Sequence, residues 1–228
     1  MTDTPTQRRI RSFVRREGRM TPSQKLALAQ FWPDYGLAAD GGPLDWWQVF
    51  GREAPRVLEI GFGNGDNVLA QALAHPGQDY LGIEVHRPGV GRLLAQLAAH
   101  SLTNVRIFCA DAVEVLDRVI PPHSLDCVEL YFPDPWPKKR HHKRRIVQSE
   151  FADRVARALK PGGRWLLATD WAPYAEHMRA VLNAHPDFAN LAADGGFVPR
   201  PPERRLTKFE QRGLKLGHEV FDLAYRRR

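Results

Sequence analysis

No apolar run in this sequence approaches the roughly 20 residues that a membrane-spanning helix requires. The first residues are also too polar and charged to form the apolar stretch of a secretion signal, so a soluble, cytoplasmic protein with no membrane partner is expected. Cysteine is scarce. Cys109 and Cys127 each fall within an apolar run and at no zinc-ligand spacing, which suits a reducing compartment and argues for neither a disulfide nor a metal site. Acidic residues are scarce in three particular places: segments 1–25, 138–145 and 200–228 hold only 6 of the 26 Asp and Glu but 22 of the 33 Lys and Arg. The rest of the chain is acidic, with 11 basic against 20 acidic residues. Solubility does not require such segregation of sign, whereas a polyanionic partner such as nucleic acid does.

The chain has 228 residues and 43% apolar content, enough for one substantial core. Residues 1–25 carry seven basic side chains and no sustained apolar period, and read as a basic arm that is flexible without a partner. Residues 26–228 read as a single domain. From residue 56 to about 182, short apolar runs alternate with amphipathic stretches, the pattern of an α/β fold with a mostly parallel sheet and helices on both faces. Strands are expected over 57–60, 80–85, 105–110, 125–132 and 164–169, and helices over 68–74, 90–99, 112–119 and 146–159. In the last helix Val147, Phe151, Val155 and Leu159 share a face, and Pro161-Gly162-Gly163 reads as its stop. An antiparallel strand pair over 208–216 and 219–225, turned at Gly217-His218, is expected to close the chain after a loop over 186–207.

Gly61, Gly63 and Gly65 follow the first of these strands and precede a helix, where missing side chains let backbone turn tightly and approach a ligand. A dinucleotide loop would read GxGxxG, but its last glycine position is Asp66 here. The spacing GxGxG preceded by Glu59 resembles instead the first motif of Rossmann-like methyltransferases, which implies an S-adenosylmethionine site. Glu84 closes the second strand, where a carboxylate can accept from both ribose hydroxyls, and Asp111 closes the third, where it can accept from the adenine amino group. Taken singly, Asp66 and Asp111 fit helix N-caps as well.

The fourth strand runs into Pro133-Asp134-Pro135-Trp136-Pro137 and then into Lys138, Lys139, Arg140, His141, His142, Lys143, Arg144 and Arg145. A proline-rich turn at a strand end is stiff, which suits a group held against a reacting base. With RSFVRREGRMT (11–21), LEIGFGNG (58–65), GIEVHRPGVGRLL (82–94), FPDPWPKKRHHKRR (132–145), LKPGG (159–163), TDW (169–171) and TKFE (207–210), the chain resembles the bacterial-type tRNA (guanine-N7)-methyltransferase family over nearly its whole length. That resemblance implies the Rossmann-like class I methyltransferase fold, S-adenosylmethionine as cofactor and tRNA as partner, while monomer and homodimer both stay open. It also implies that Glu59, Glu84, Asp111 and Asp134 contact the cofactor or line its pocket, that Asp134 is the catalytic residue, and that Lys138, Asp170, Thr207, Lys208, Phe209 and Glu210 contact substrate. Arg140, His141, His142, Lys143, Arg144 and Arg145 carry over as an RNA-contacting stretch.

Guanine N7 is a bare acceptor in the major groove, so no proton need leave it during methyl transfer. Asp134 is therefore expected to stabilise charge or orient the base, and not to act as a general base. Trp136 and Trp171 can stack on a base or pack in the core, and tryptophan near a strand end more often packs. His141 and His142 lack metal-ligand partners and read as part of the basic run. Two other readings stay open: a methyltransferase acting on another substrate, which leaves the basic loop idle, and a non-catalytic RNA-binding protein of the same fold, against which the intact acidic set argues.

Overall fold

The computed structural model describes residues 12–13, 19–202, 204–206, 210 and 219–228. In chain order the elements are α1 (Pro22–Tyr35), β1 (Gly36–Leu37), α2 (Trp46–Phe50), β2 (Arg56–Ile60), α3 (Asp66–Ala74), β3 (Asp79–Ile83), α4 (Arg87–Ala99) and β4 (Val105–Phe108). There follow α5 (Ala112–Arg118), β5 (Leu125–Tyr131), a 3-10 turn (Lys139–Arg144), α6 (Ser149–Ala158), β6 (Leu159–Thr169), α7 (Ala172–Asn183), β7 (Phe188–Asn190) and β8 (Phe221–Arg227). Among the described residues these strands form one sheet in the order β1-β4-β3-β2-β5-β6-β8-β7. The pairs from β1 to β6 are parallel, and β8 runs antiparallel between β6 and β7.

The central strands are apolar on both faces because helices cover both, which is why they read as continuous apolar runs. On β2, Leu58 and Ile60 join the core built with α5, α6 and α7, while Val57 joins the core built with α1, α3 and α4. Alternation therefore turns Glu59 toward α3, and the same parity turns Glu129 of β5 that way. All five parallel strands from β2 to β6 point their carboxyl ends to one edge. The order reverses beside β2, since β3 leaves it on one side and β5 on the other, and such a switch point is where open α/β sheets form ligand crevices.

Three expectations change. Thr21 caps α1 by accepting from the Gln24 amide at 3.3 Å, and the Gln24 side chain accepts from the Thr21 amide at 2.9 Å, so this capping box starts a helix inside the segment read as an arm. Pro161-Gly162-Gly163 does not cap α6, which ends at Ala158; Leu159 already pairs with Leu125 as β6 begins. The three residues form a bulge instead, where Gly162 takes a φ of 80° and the register resumes at Cys127 with Arg164. The antiparallel closing strand is present as β8, paired with β6 and with β7, and β7 is a short strand within the expected 186–207 loop. The strand expected over 208–216 and its turn at 217–218 lie outside the described residues, Glu210 excepted. No helix among the described residues is long and apolar enough to cross a membrane.

Candidate active site

The loop between β2 and α3 is built on three left-handed glycines, Gly61 (φ 75°), Gly63 (φ 58°) and Gly65 (φ 77°), a conformation in which any side chain is strained. They differ in surroundings. A Cβ on Gly61 or Gly63 would meet open space, whereas one on Gly65 would press to 2.7 Å from Leu93 of α4. Glu84, just beyond β3, fixes this loop: its carboxylate accepts from the Gly63 amide at 2.8 Å, from Val85 at 2.6 Å and from His86 at 2.8 Å. The Gly61 amide donates to Ile83 at 2.7 Å, so loop and strand end move as one body.

In front of the loop lies a cavity of about 570 Å³, bordered by Gly61, Glu84, Asp111 and Asp134 and by apolar walls that include Ile83 and Leu130. Such a volume suits a nucleoside-sized ligand. Asp111 borders the cavity and also caps α5, accepting from the Val113 amide at 3.0 Å. Across the cavity, β5 delivers the turn Pro133 to Pro137, in which Asp134 is exposed. Phe132 (φ 52°), just before that turn, and Trp136 (φ 44°), within it, sit in the left-handed region although neither is glycine, and such strain persists only where the surroundings over-determine it. The Trp136 indole donates to the Ser12 carbonyl at 3.0 Å, while the Arg144 guanidinium lies 5.0 Å from the centre of its ring and His141 meets it edge-on. Trp136 is thus clamped, while Trp171 at the start of α7 is 40% exposed.

Glu59 does not border the cavity. It is buried behind the glycine loop, where Asn67 donates to it at 2.9 Å and to Glu129 at 3.1 Å, and Gln71 donates to Glu129 at 2.8 Å. Burial first, and the neighbouring Glu129 second, push the Glu59 carboxyl up to about 8. Sequence reasoning missed Glu129, although a glutamate within the apolar run of β5 was the available signal.

The C-terminal segment reaches this edge through Arg204, which is 2% exposed. Its guanidinium donates to Glu210 at 2.6 and 2.7 Å and to Asp222 at 2.7 and 2.9 Å, and lies 5.5 Å from the Phe132 ring centre. Both carboxylate oxygens of Glu210 are thus held by Arg204, which anchors the end of the expected substrate segment; Thr207, Lys208 and Phe209 lie outside the described residues. Asp170 is exposed at the end of β6, on the same sheet edge as Asp134.

The basic run divides. Lys138, Arg140 and Lys143 are exposed, and His141 and His142 are half-buried. Desolvation and the cations Arg140 and Arg144 hold the His141 imidazole below its ordinary value, so it adds little charge near neutral pH. Arg145, expected among the RNA contacts, is instead 3% exposed and bonded to the protein.

Strand order, glycine loop and a cavity at the carboxyl edge of the sheet define a methyltransferase of the Rossmann-like class I fold. The crystal structure of the 16S rRNA methyltransferase KamB shares that fold, with a TM-score of 0.55 and 17% identity over 80% of this chain and 92% of that one. The family model described as "Putative methyltransferase" matches residues 53–223. The tRNA (guanine-N(7)-)-methyltransferase of Alkalilimnicola ehrlichii is 59% identical over 97% of this chain and 94% of its own length. That of Pseudomonas putida is 57% identical over 96% and 91%. The chain belongs to the tRNA (guanine-N7)-methyltransferase family of enzymes.

Proposed function

We propose that this protein transfers the methyl group of S-adenosylmethionine to N7 of a guanine in tRNA, the guanine of the variable loop by family expectation, giving N7-methylguanosine. The observation that carries the reading is one cavity bordered by Gly61, Glu84, Asp111 and Asp134, whose lining residue Pro137 leads directly in the chain to the exposed cations Lys138 and Arg140. The residues fit the cofactor: Glu84 would hold the ribose hydroxyls, Asp111 the adenine amino group, and the bare backbone at Gly61 and Gly63 would border the methionine tail. Glu59 would act from behind, through Asn67 and the loop. When bound, the cofactor supplies an electrophilic methyl group on a positively charged sulfur.

Asp134 faces that space from the opposite wall. Because N7 has a free lone pair, the carboxylate takes no proton in the transfer step; it accepts hydrogen bonds from the Watson–Crick edge of the guanine and stabilises the positive charge the base acquires. Lys138 and Asp170 would position the nucleotide, and Thr207, Lys208 and Phe209 would complete its surroundings, with Glu210 holding their segment in place. Lys138, Arg140 and Lys143, with the arginines of segment 1–25, would hold the tRNA backbone, selecting shape more than sequence.

The test is incubation with unmodified tRNA and methyl-labelled donor, followed by nucleoside analysis. Label in N7-methylguanosine is expected, and its absence there would overturn the reading.

A further inference from the structure

We infer that Arg145 is a positioning residue for the reaction, holding the turn that carries Asp134, and makes no contact with RNA. The inference rests on the functional reading above.

The turn cannot hold itself. Three of its five residues, Pro133, Pro135 and Pro137, have no backbone N–H, and Phe132 just before it and Trp136 within it sit in a strained conformation. Something outside must fix it. The Phe132 amide anchors one end by donating to Ala168 at 2.8 Å, and the Trp136 indole anchors the other on Ser12. Between them the side chain of Arg145 reaches the residue next to Asp134: its Nε donates to the Pro135 carbonyl at 3.0 Å. Its Nη1 donates to the Pro173 carbonyl at 3.3 Å, in the first turn of α7. One planar guanidinium therefore ties the turn after β5 to the first turn of α7, and so sets the spacing between Asp134 and Asp170, the carboxylates expected to be catalytic and to contact substrate.

Arg145 is itself fixed. Its guanidinium lies 4.9 Å from the ring centre of Tyr174, a fully buried residue whose hydroxyl accepts from the Val147 amide at 3.3 Å. The Arg145 carbonyl accepts from Gln148 at 3.2 Å. None of these contacts leaves the side chain facing solvent, unlike exposed Lys143 two residues earlier. Lysine cannot replace this arrangement, since a point charge lacks the fork that reaches two carbonyls at once and the plane that stacks on tyrosine.

The experiment compares Arg145→Met, Arg145→Lys and Lys143→Ala with the wild type, measuring kcat and KM for tRNA at saturating donor, donor affinity by calorimetry, and thermal unfolding. For Arg145→Met, kcat is expected to fall by about 10- to 100-fold, with the KM for tRNA and the donor affinity within about threefold. Arg145→Lys should recover only part of kcat. Lys143→Ala should raise KM and leave kcat unchanged. A raised KM with intact kcat in either Arg145 variant would make it an RNA contact and overturn the inference. Should Arg145→Met fail to fold, Arg145→Lys decides: it keeps the charge an RNA contact needs and loses the fork, so full kcat at unchanged KM also counts against positioning. A wild-type chain that makes no N7-methylguanosine overturns the functional reading, and this inference with it.

Discussion

Glu59 and Glu129 sit directly opposite each other on neighbouring parallel strands and share one amide nitrogen, that of Asn67. Two carboxylates this close and this buried do not both ionise, so the pair keeps a proton near neutral pH, with Glu59 raised to about 8. The folded state then binds more protons than the unfolded state, where a glutamate titrates at about 4.3. Its contribution to stability is full below the unfolded value and is lost as pH rises toward 8. Glu59→Gln, which fixes the neutral form, should flatten the fall in Tm between pH 5 and 8.5 by at least about 2–4 °C, corresponding to about 1 kcal/mol for a chain of this size. Equal slopes for variant and wild type in a pH series of thermal melts would count against the shared proton.

Asp134→Asn retains shape but loses the charge and turns one acceptor oxygen into a donor. Turnover should drop roughly 10²-fold or more, while donor affinity stays within a few-fold, because Glu84 and Asp111 are untouched. Single-turnover methylation and calorimetry on the same preparation separate the two effects. Full turnover would remove Asp134 from the chemistry.

Gly89 lies at the start of α4, and any Cβ there would run into the carbonyl oxygen of Gly63 in the glycine loop. Backbone meets backbone at that point, so neither side can yield cheaply. Gly89→Ala should weaken donor binding by on the order of tenfold and destabilise the fold by about 1–3 kcal/mol, the usual cost of overpacking. Gly41→Ala, where a Cβ meets nothing within 4 Å, is the control. Unaltered donor affinity in Gly89→Ala would mean the loop tolerates displacement.

Exposed Arg140 and Lys143 should carry phosphate contacts. Removing both to alanine is expected to weaken binding of many RNAs about equally and to reduce the slope of log affinity against log salt by about 2. Titrations at several salt concentrations measure this directly, and an unchanged slope would assign the RNA backbone to other cations.

The strands from β2 to β5 were legible because burial on both faces demands apolar runs, and their residues declare it. The irregular parts were not. β6 starts at Leu159 because a bulge absorbs Pro161-Gly162-Gly163, residues whose types read equally well as a helix stop. β7 has three residues, too few for any period to show. At the site, Gly61, Glu84, Asp111 and Asp134 could be picked out because residue type and strand-end position agree. Arg145 could not be told from Arg144 or Lys143, since a run of like charges does not reveal which side chain turns inward. The Glu59–Glu129 pair was hidden for another reason: strand pairing brings together residues distant in sequence, and only the pairing order discloses it.

The main-chain carbonyl of Ser12 that receives the Trp136 indole N–H belongs to a segment which, with Phe13, forms part of the cavity wall. Recombinant handling therefore bears on the chemistry. A preparation clipped before residue 19 by a contaminating protease would lose part of the wall of the proposed methyl-transfer cavity, together with arginines proposed above to hold tRNA. Specific activity should track the integrity of the amino terminus, and intact-mass spectrometry belongs beside every rate measured on this enzyme.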